Sequence, residues 1–273
     1  MNDLGETIAG AQNPGTLAAS ASSMSRRFVA AAIHLLISAC VAAVAAAVVL
    51  LVWYPPPFAT IAGGLGLLAL LVSVDVILGP ALTAVVASPG KPVPELRRDL
   101  AVIVVVQLAA FGYGLWSIAL ARPVYISFEI DRFRVVSAAD LEPSTLKAAP
   151  VALRSLPWLG PKPIAAVKPT DPAEQMRSIE LGLAGFDLSM VPANWREYSS
   201  QSGAAWKAAK AIDSLLKRYP EQTASARDIA VHAGKDLDSL RYLPLMSRRA
   251  NWSAIVAPPD AQIVGYLPVE GFF

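Results

Sequence analysis

Three long apolar runs in the first half of the chain limit what it can fold into. They cover residues 28–52, 61–87 and 100–120, and each is long enough to cross the roughly 30 Å hydrocarbon core of a bilayer as a helix. The middle run carries a lone carboxylate, Asp75, near its centre. Because a charge at that depth is costly unless it is paired or hydrated, Asp75 needs a partner or a function. The sequence predicts a membrane protein with three transmembrane α-helices.

The rest of the chain has the composition of a water-soluble domain. Of all 273 residues 55% are hydrophobic and 16% are charged, but most of the charged residues lie after residue 121. The net charge of +2 excludes the strong positive field that nucleic-acid binding requires. We therefore expect no nucleic-acid partner. Residues 122–273 are numerous enough for one modest hydrophobic core.

Few residues in the chain are suited to metal binding or catalysis. The single cysteine, Cys40, lies inside the first apolar run, so an intramolecular disulfide is impossible. The chain has two histidines in all, so it contains few of the ligands that a zinc cluster requires. Sequence patterns of phosphate-binding loops, serine hydrolases and zinc proteases do not occur. We expect no cofactor and no enzymatic activity.

The N-terminal segment predicts an extension followed by a retained helix. Residues 1–23 are small, polar and aperiodic, which predicts disorder, and Met24 is a second candidate start. Arg26 and Arg27 could begin a signal peptide, but the apolar run that follows is too long. Residues 53–55 would also be a poor cleavage site. A helix that stays in the mature protein explains the segment better.

Basic residues predict the orientation of the three-helix region, residues 24–121. Two precede the first helix, three lie between the second and third helices, and the loop between the first and second helices, residues 53–60, has none. These five residues are Arg26, Arg27, Lys91, Arg97 and Arg98. Because cytoplasmic loops are enriched in Lys and Arg, the N-terminus is predicted to be cytoplasmic. Residues 122–273 then form a periplasmic domain attached to a bacterial inner membrane.

The uncharged loop combines aromatic residues with a stiff proline run. Trp53 and Tyr54 are followed by three prolines, which fix the backbone and cannot extend a helix. Trp and Tyr side chains favour the headgroup level of a bilayer. The loop is therefore predicted to be a rigid turn with aromatic membrane anchors.

Three polar side chains in the apolar runs predict a polar cluster within the membrane. At 1.5 Å per residue, His34, Asp75 and Gln107 lie at similar depths, between the inner half and the middle of the bilayer. Hydrogen bonds that join the three helices are the simplest role for them. Capture of a partner's transmembrane segment and movement of protons or ions are the alternatives. A transporter is poorly supported, because no inverted repeat is recognisable.

The segment after the third helix predicts a strand. Between residues 123 and 136, apolar residues alternate with Tyr125, Ser127, Glu129 and Asp131, which is typical of a half-buried strand. The polar face of this region is a candidate contact surface for a partner. We assign to this surface Tyr125, Glu129, Asp131, Arg132 and Arg134.

Further elements predict a small α+β domain. Asp171 and Pro172 are suited to begin a helix that ends near residue 183. Residues 204–219 form the clearest soluble helical pattern, and residues 223–233 predict another helix. Two apolar stretches, residues 254–256 and 263–267, predict a C-terminal hairpin, which could pair with the first strand.

Several segments, in order along the chain, resemble one known family. They are LVWYPPP at residues 51–57, VDVILGP at 74–80, RPVY at 122–125, FEIDRFRVV at 128–136 and WLGP at 158–161. Together they resemble the type IV pilin accessory proteins (TfpX/TfpZ, also described as FimB-like). The resemblance covers residues 24–161 well and the remainder loosely. The chain departs from the family pattern in residues 1–23 and in its last three residues.

The resemblance implies a small inner-membrane protein that assists the display of type IV pilins. The expected partner is a cognate pilin, with pilus assembly machinery and membrane lipid as further contacts. The family brings no catalytic residues. On this basis, we expect Asp75 to meet a polar group on the pilin's membrane helix, and the region 123–136 to meet its head. The alternative is a membrane-anchored periplasmic module that binds the cell envelope and is unrelated to pili.

Overall fold

Long helices form at the three apolar runs in the computed structural model, which describes residues 14–87 and 91–273. The first helix is α1 (Pro14–Ala47), which continues as a π-helix over Val48–Trp53. The second consists of α3 (Gly64–Ser73), a π-helical segment (Val74–Leu78) and α4 (Gly79–Val86). The third is α5 (Val93–Ala121). A short helix, α2 (Phe58–Ile61), lies in the loop between the first two.

Length and apolar composition make all three helices candidate membrane spans. The spans are Phe28–Trp53, Gly64–Val86 and Val93–Ala121. Residues 14–23 are helical, in contrast to the disorder expected for residues 1–23, and residues 1–13 lie outside the described part of the chain. This segment contains helix-favouring alanines and begins with Pro14, which is tolerated in a first helical turn.

The chain divides into two units, and the division cuts across the helices. One, the helical unit, contains the described residues up to Ala45 together with Ala69–Leu115. The other, the globular unit, contains Ala46–Leu68 and Trp116–Phe273. One end of each membrane span and the loop that joins the first two spans therefore belong to the globular unit.

An eight-stranded mixed sheet forms the centre of the globular unit. Its order is β4-β3-β1-β2-β6-β7-β8, and the short strand β5 pairs with β6. The strands are β1 (Pro123–Glu129), β2 (Arg132–Ser137), β3 (Lys162–Ala166), β4 (Trp195–Glu197), β5 (Lys210–Ala211), β6 (Arg241–Met246), β7 (Trp252–Ala257) and β8 (Gln262–Leu267). β1 is parallel to β3 and antiparallel to β2, whereas β2 and β6 are parallel.

The first strand is buried on both faces, so the prediction of a half-buried strand is wrong. All seven residues of β1 are buried. Ile126 and Phe128 pack in one cluster of the core, whereas Tyr125 packs in another with Trp195. β1 lies inside the sheet, between β2 and β3, and both of its faces are covered. Successive residues of β1 therefore face two different parts of the core. The alternating pattern does not distinguish a core face from a solvent face.

Two of the three predicted soluble helices are confirmed. α6 (Pro172–Leu183) begins at Asp171, whose carboxylate accepts a hydrogen bond of 3.0 Å from the backbone N–H of Glu174. α9 (Thr223–Ala233) ends at Gly234, which adopts the left-handed conformation with φ of +61°.

The helix predicted over residues 204–219 is wrong as one element. It is divided into α7 (Ser202–Ala208), β5 and α8 (Ile212–Arg218). The backbone is extended at residues 210–211, where β5 pairs with β6. At the break, Arg241 donates a hydrogen bond of 3.0 Å to the backbone oxygen of Trp206. Tertiary pairing thus interrupts a sequence that has helical periodicity.

The C-terminal hairpin is confirmed as β7 and β8, but it does not pair with the first strand. β6 lies between β7 and β2. The run that forms β6 contains Pro244, which argues against an inner strand because proline cannot donate to a neighbouring strand. Along one edge of β6, β5 pairs at residues 241–242 and β2 at residues 245–246. Pro244 falls between these two pairings and is tolerated there.

Candidate functional site

A cleft of about 420 Å³ opens in the helical unit between faces of α1 and α5. We call it the groove. Its wall on α1 is formed by Ala30, Ile33, His34, Ile37, Ser38 and Val41, and its wall on α5 by Leu100, Val104, Gln107, Leu108 and Phe111. Successive members of each wall are one to four residues apart, so each wall is one continuous helix face. Asp75 and Thr83 of the second helix complete the lining.

The structure brings His34, Asp75 and Gln107 together in the lining of this groove. Nδ1 of His34 lies 2.6 Å from Oγ1 of Thr83, which is a hydrogen-bonding distance. Nε2 of Gln107 donates to the backbone oxygen of Asp75 over 3.4 Å. The carboxyl group of Asp75 lies close to the side chains of both His34 and Gln107. The apolar groove therefore has a polar, hydrogen-bonded patch in its lining.

Local helix geometry places Asp75 in this patch. The residue lies in the π-helical segment Val74–Leu78, a form that occurs mostly as single turns inside α-helices and often at functional sites. One turn later, Gly79 allows close approach of α5, because a Cβ atom there would overlap the amide of Gln107. The second helix thus holds Gln107 against its own backbone beside Asp75.

Sequence reasoning missed two polar residues of the groove, Ser38 and Thr83. Helical spacing is the signal that could have found them. Ser38 lies one turn after His34, and Thr83 lies two turns after Asp75, so each shares a helix face with a predicted residue. Both hydroxyl-bearing side chains line the groove, and both residues are buried.

The predicted contact surface on the first strand is wrong for Tyr125 and Glu129. Tyr125 is 1% exposed and packs edge-on against Trp195, with ring centroids 5.0 Å apart. Its burial raises the pKa of the hydroxyl group. Glu129 is 6% exposed and accepts hydrogen bonds from the backbone N–H and the hydroxyl of Ser189, at 3.2 and 2.6 Å. The polar groups of both side chains already have hydrogen-bond partners inside the core, so neither is placed to meet a partner protein.

Three members of that predicted surface lie at the turn between β1 and β2 or just after it. Asp131 and Arg132 form an ion pair of 2.8 Å, and the Asp131 side chain is more than half exposed. Arg134 is paired with Asp187 at 2.6 Å. A role of these three residues in partner binding stays a prediction.

The loop between the first two helices is built into the globular unit, so the prediction of headgroup anchoring is wrong for Tyr54. Tyr54 is fully buried, and its hydroxyl group donates to the backbone oxygen of Ile118 over 3.0 Å. Burial raises the pKa of this hydroxyl group. Further along the loop, Phe58 and Ile61 belong to a hydrophobic core cluster of the globular unit. The loop is part of the core rather than a surface turn.

Segments that carry the family resemblance meet at one place in the globular unit, which we call the junction. The backbone N–H of Gly160 donates to the backbone oxygen of Val52 over 2.8 Å. The rings of Trp53 and Trp158 lie 6.3 Å apart between centroids, and the guanidinium carbon of Arg122 lies 4.2 Å from the centre of the Trp158 ring. Residues from three separate segments thus form one packed contact.

Comparison with known proteins identifies the family. The model of the fimbrial assembly protein FimB matches residues 22–63. The fimbrial assembly protein of serogroup I from Dichelobacter nodosus is 34% identical over 217 residues, which cover 79% of this chain and 84% of the relative. The chain belongs to the FimB family of fimbrial assembly proteins.

Other relatives from Dichelobacter nodosus agree with this assignment. The serogroup E1 protein is 32% identical over the same length and with the same coverage of both chains. The protein of serogroups C1 and C2 is 42% identical over 85 residues, which are 31% of this chain and 65% of the relative. No solved structure matches the chain.

Membership in the FimB family supports a role in fimbrial biogenesis. Within residues 14–87 and 91–273, no group of three His, Cys, Asp or Glu side chains is placed to hold a metal ion. Among the described residues, the groove and its polar patch form the candidate functional site.

The FimB family match includes the buried loop, which leads to a prediction for Tyr54→Phe. This change keeps the ring but removes the hydrogen bond to Ile118, so we expect a loss of stability of about 1 kcal/mol. Thermal unfolding of the purified protein in detergent, followed by circular dichroism, checks this expectation. Tyr54→Ala provides the comparison, because it also removes the buried ring and should cost several times more. An unchanged midpoint for Tyr54→Phe would contradict the predicted role of the hydrogen bond.

Proposed function

We propose that this protein is an inner-membrane accessory protein of type IV pilus biogenesis that holds the membrane helix of a cognate pilin in the groove. Family membership supports the role in fimbrial assembly. The distribution of basic residues supports a cytoplasmic N-terminus and a periplasmic globular unit. In this orientation the protein faces a pilin that waits in the same membrane, with its apolar helix in the bilayer and its head outside.

The groove is the observation that carries the proposal. Its walls are helix faces composed mainly of aliphatic residues and one phenylalanine, which suit the van der Waals packing that joins helices in a bilayer. Its polar patch adds selectivity, because a helix with a hydrogen-bond donor or a positive charge at the depth of Asp75 would be favoured over a wholly apolar helix.

An open groove favours capture of a partner over a purely internal role for the polar residues. Hydrogen bonds within the cluster do join the helices, since His34 contacts Thr83 and Gln107 contacts the backbone of Asp75. A cluster that served only this purpose would be closed off by its own helices. Here, the same side chains line a cleft that is large enough to admit side chains of another helix.

A second contact is proposed between the globular unit and the head of the pilin. We assign this contact to the three residues of the predicted surface that lie at or just after the turn between β1 and β2, which are Asp131, Arg132 and Arg134. Arg132 is held between Asp131 and the ring of Phe272, which lies 5.1 Å from the guanidinium carbon. Because this arginine is held in place, it would lose little side-chain entropy when a partner binds.

Crosslinking in native membranes tests the proposed function. We expect the major pilin to be recovered with the wild-type protein and identified by mass spectrometry. Asp75→Asn keeps the size of the side chain but removes its charge, so recovery of pilin should fall about tenfold, which corresponds to about 1.4 kcal/mol. Ser73→Ala is the matched control, because Ser73 lies on the same helix and its hydroxyl group donates to the backbone oxygen of Ala69 within that helix.

Each outcome of this experiment bears on a separate part of the proposal. Equal recovery of pilin with Asp75→Asn and wild type would exclude the carboxylate as a contact. Recovery of envelope proteins but no pilin would overturn the proposal and favour an envelope-binding module. Immunoblots of membrane fractions must show equal amounts of all variants, so that loss of the protein is not mistaken for loss of binding.

A further inference from the structure

The junction lies where the first candidate membrane span ends. Val52, whose backbone oxygen accepts the hydrogen bond from Gly160, is the penultimate residue of the span Phe28–Trp53. Gly160 has a φ of +57°, and a side chain there would press against Pro55, so glycine lets the loop approach this closely. The residues on either side of Gly160 are thereby held beside the end of this candidate span.

Arg122 lies at the same boundary at the end of the third span. It follows directly after α5, and the apolar part of that helix from Leu100 to Ala121 is about 33 Å long at 1.5 Å per residue. This length matches the hydrocarbon core of a bilayer, which is about 30 Å thick. The guanidinium group of Arg122 is therefore expected at the depth of lipid phosphates.

Arg122 is a buried cation that lacks an acidic partner in the described part of the chain. It is 6% exposed, and the ion pairs found among the described residues do not include it. Nη1 donates to the backbone oxygen of Ala119 over 2.6 Å, whereas Nε is buried without a hydrogen-bond partner. Burial also lowers the pKa of the guanidinium group. Because a buried charge without a counter-charge is costly, an anion close to Arg122 would stabilise it.

Exposed apolar side chains stand beside this cation. Trp158, which packs against the guanidinium group, is 61% exposed, and Leu159 is 76% exposed. Large apolar side chains at the tip of a loop are unfavourable in water, but tryptophan is enriched at the interface between membrane and water. An apolar tip next to an unpaired cation complements a molecule that has an acyl chain beside a phosphate.

We propose that the junction binds a phospholipid of the surrounding membrane, with Arg122 contacting the phosphate and Trp158 and Leu159 inserted among the headgroups and upper acyl chains. Arginine forms strong charge-assisted hydrogen bonds to phosphate oxygens. A phosphate at this site supplies the missing counter-charge of Arg122. The lipid would thereby fasten the globular unit to the membrane surface near the first and third spans. This inference does not depend on the proposed binding of a pilin.

Site-directed spin labelling tests whether the tip of the loop enters the membrane. Full-length protein with Cys40→Ser and Leu159→Cys is labelled and reconstituted into vesicles of phosphatidylglycerol and phosphatidylcholine. We expect the label to collide often with oxygen, which concentrates in lipid, and rarely with a water-soluble nickel chelate. Val231→Cys in the same background is the matched control, because Val231 on α9 is 77% exposed, and its label should show the opposite preference.

A second experiment tests the phosphate contact of Arg122. Phosphatidylglycerol is titrated into delipidated full-length protein in detergent, and binding is followed by native mass spectrometry. Loss of one charge-assisted interaction in Arg122→Gln should raise the apparent Kd about tenfold or more. Trp158→Ala should weaken binding in the same direction. Inorganic phosphate should neither bind nor compete at equal concentrations, which distinguishes a lipid site from a simple anion site.

Three results would overturn the lipid proposal. A label at position 159 that collides with the nickel chelate as often as the label at 231 would place the loop in water. Protection from both oxygen and the chelate would show that protein covers the loop. Equal lipid affinities of Arg122→Gln and the wild type would exclude the phosphate contact. Unfolding midpoints of the two labelled proteins serve as the control that both are folded.

Discussion

Phe58→Ala is expected to destabilise the globular unit by about 3 to 5 kcal/mol, the usual cost of truncating a buried phenylalanine. Phe58 lies in the loop between the first two candidate membrane spans, yet it is only 5% exposed. Its ring packs edge-on against Tyr266 of β8, with centroids 5.3 Å apart. Removal of the ring leaves a cavity between the loop and the sheet, and the surrounding side chains can fill it only in part.

Thermal unfolding and limited proteolysis of the purified protein in detergent measure this effect. At a few degrees per kcal/mol, the apparent midpoint should fall by roughly 10 °C, and sites within residues 123–273 should be cleaved sooner. Leu65→Ala is the control, because Leu65 is close in sequence but 48% exposed. If the two variants shift the midpoint equally, the loop is not part of the core.

This loop shows what the sequence could reveal and what it could not. Its prolines and aromatic residues predicted a rigid turn, but the same aromatic residues fit a membrane interface and a protein core equally well. Which of the two environments these aromatic residues occupy depends on the segments that pack over them. Ser247, distant in sequence, donates a hydrogen bond of 2.7 Å to the backbone oxygen of Ile61, and Tyr266 covers Phe58. Such contacts between remote segments have no signal in local periodicity.

The candidate spans and three of the polar residues of the groove could be predicted from sequence for a related reason. In lipid, backbone groups must be satisfied within the helix, so a long apolar run has few alternatives to a helix. Once the helices are assigned, the depth of each polar residue follows from its distance to the helix end. This reasoning predicted similar depths for His34, Asp75 and Gln107. The direction of each side chain, by contrast, depends on how the helices pack, which only the structure shows.

The sheet of the globular unit was harder to predict, because an alternating pattern fits both a strand with one face in solvent and a strand buried on both faces. In β1, the polar Glu129 is accommodated inside the domain by two hydrogen bonds from Ser189. Residues 60 positions apart make this contact, so the strand by itself could not reveal it. The division of residues 204–219 has the same origin, since pairing of β5 with β6 outweighs a local helical pattern.

Val104→Trp is expected to abolish most pilin recovery in the crosslinking experiment. Val104 lines the α5 wall of the groove and is 47% exposed in the helical unit, so an indole group there would occupy the space proposed for the partner helix. Overpacking of a well-fitted contact typically costs about 1 to 3 kcal/mol, which corresponds to a loss of about 5-fold to 150-fold in affinity. Surface piliation should fall in parallel.

Val105→Trp is the matched control for this prediction. Val105 is the same residue type at nearly the same depth of α5 and is 65% exposed, but it does not line the groove. Both variants add an indole group to the membrane region, so any general effect on insertion or abundance should be shared. Equal losses for the two variants would show that the groove is not the binding face.

The pair also separates partner capture from a purely structural role of the polar residues. Val104 has no polar group and takes no part in the hydrogen bonds of His34 and Gln107. If those hydrogen bonds only join the helices, an indole group at position 104 should leave pilin recovery unchanged while Asp75→Asn lowers the stability of the protein. If the groove receives a pilin helix, both Val104→Trp and Asp75→Asn should reduce recovery, with Val105→Trp close to the wild type.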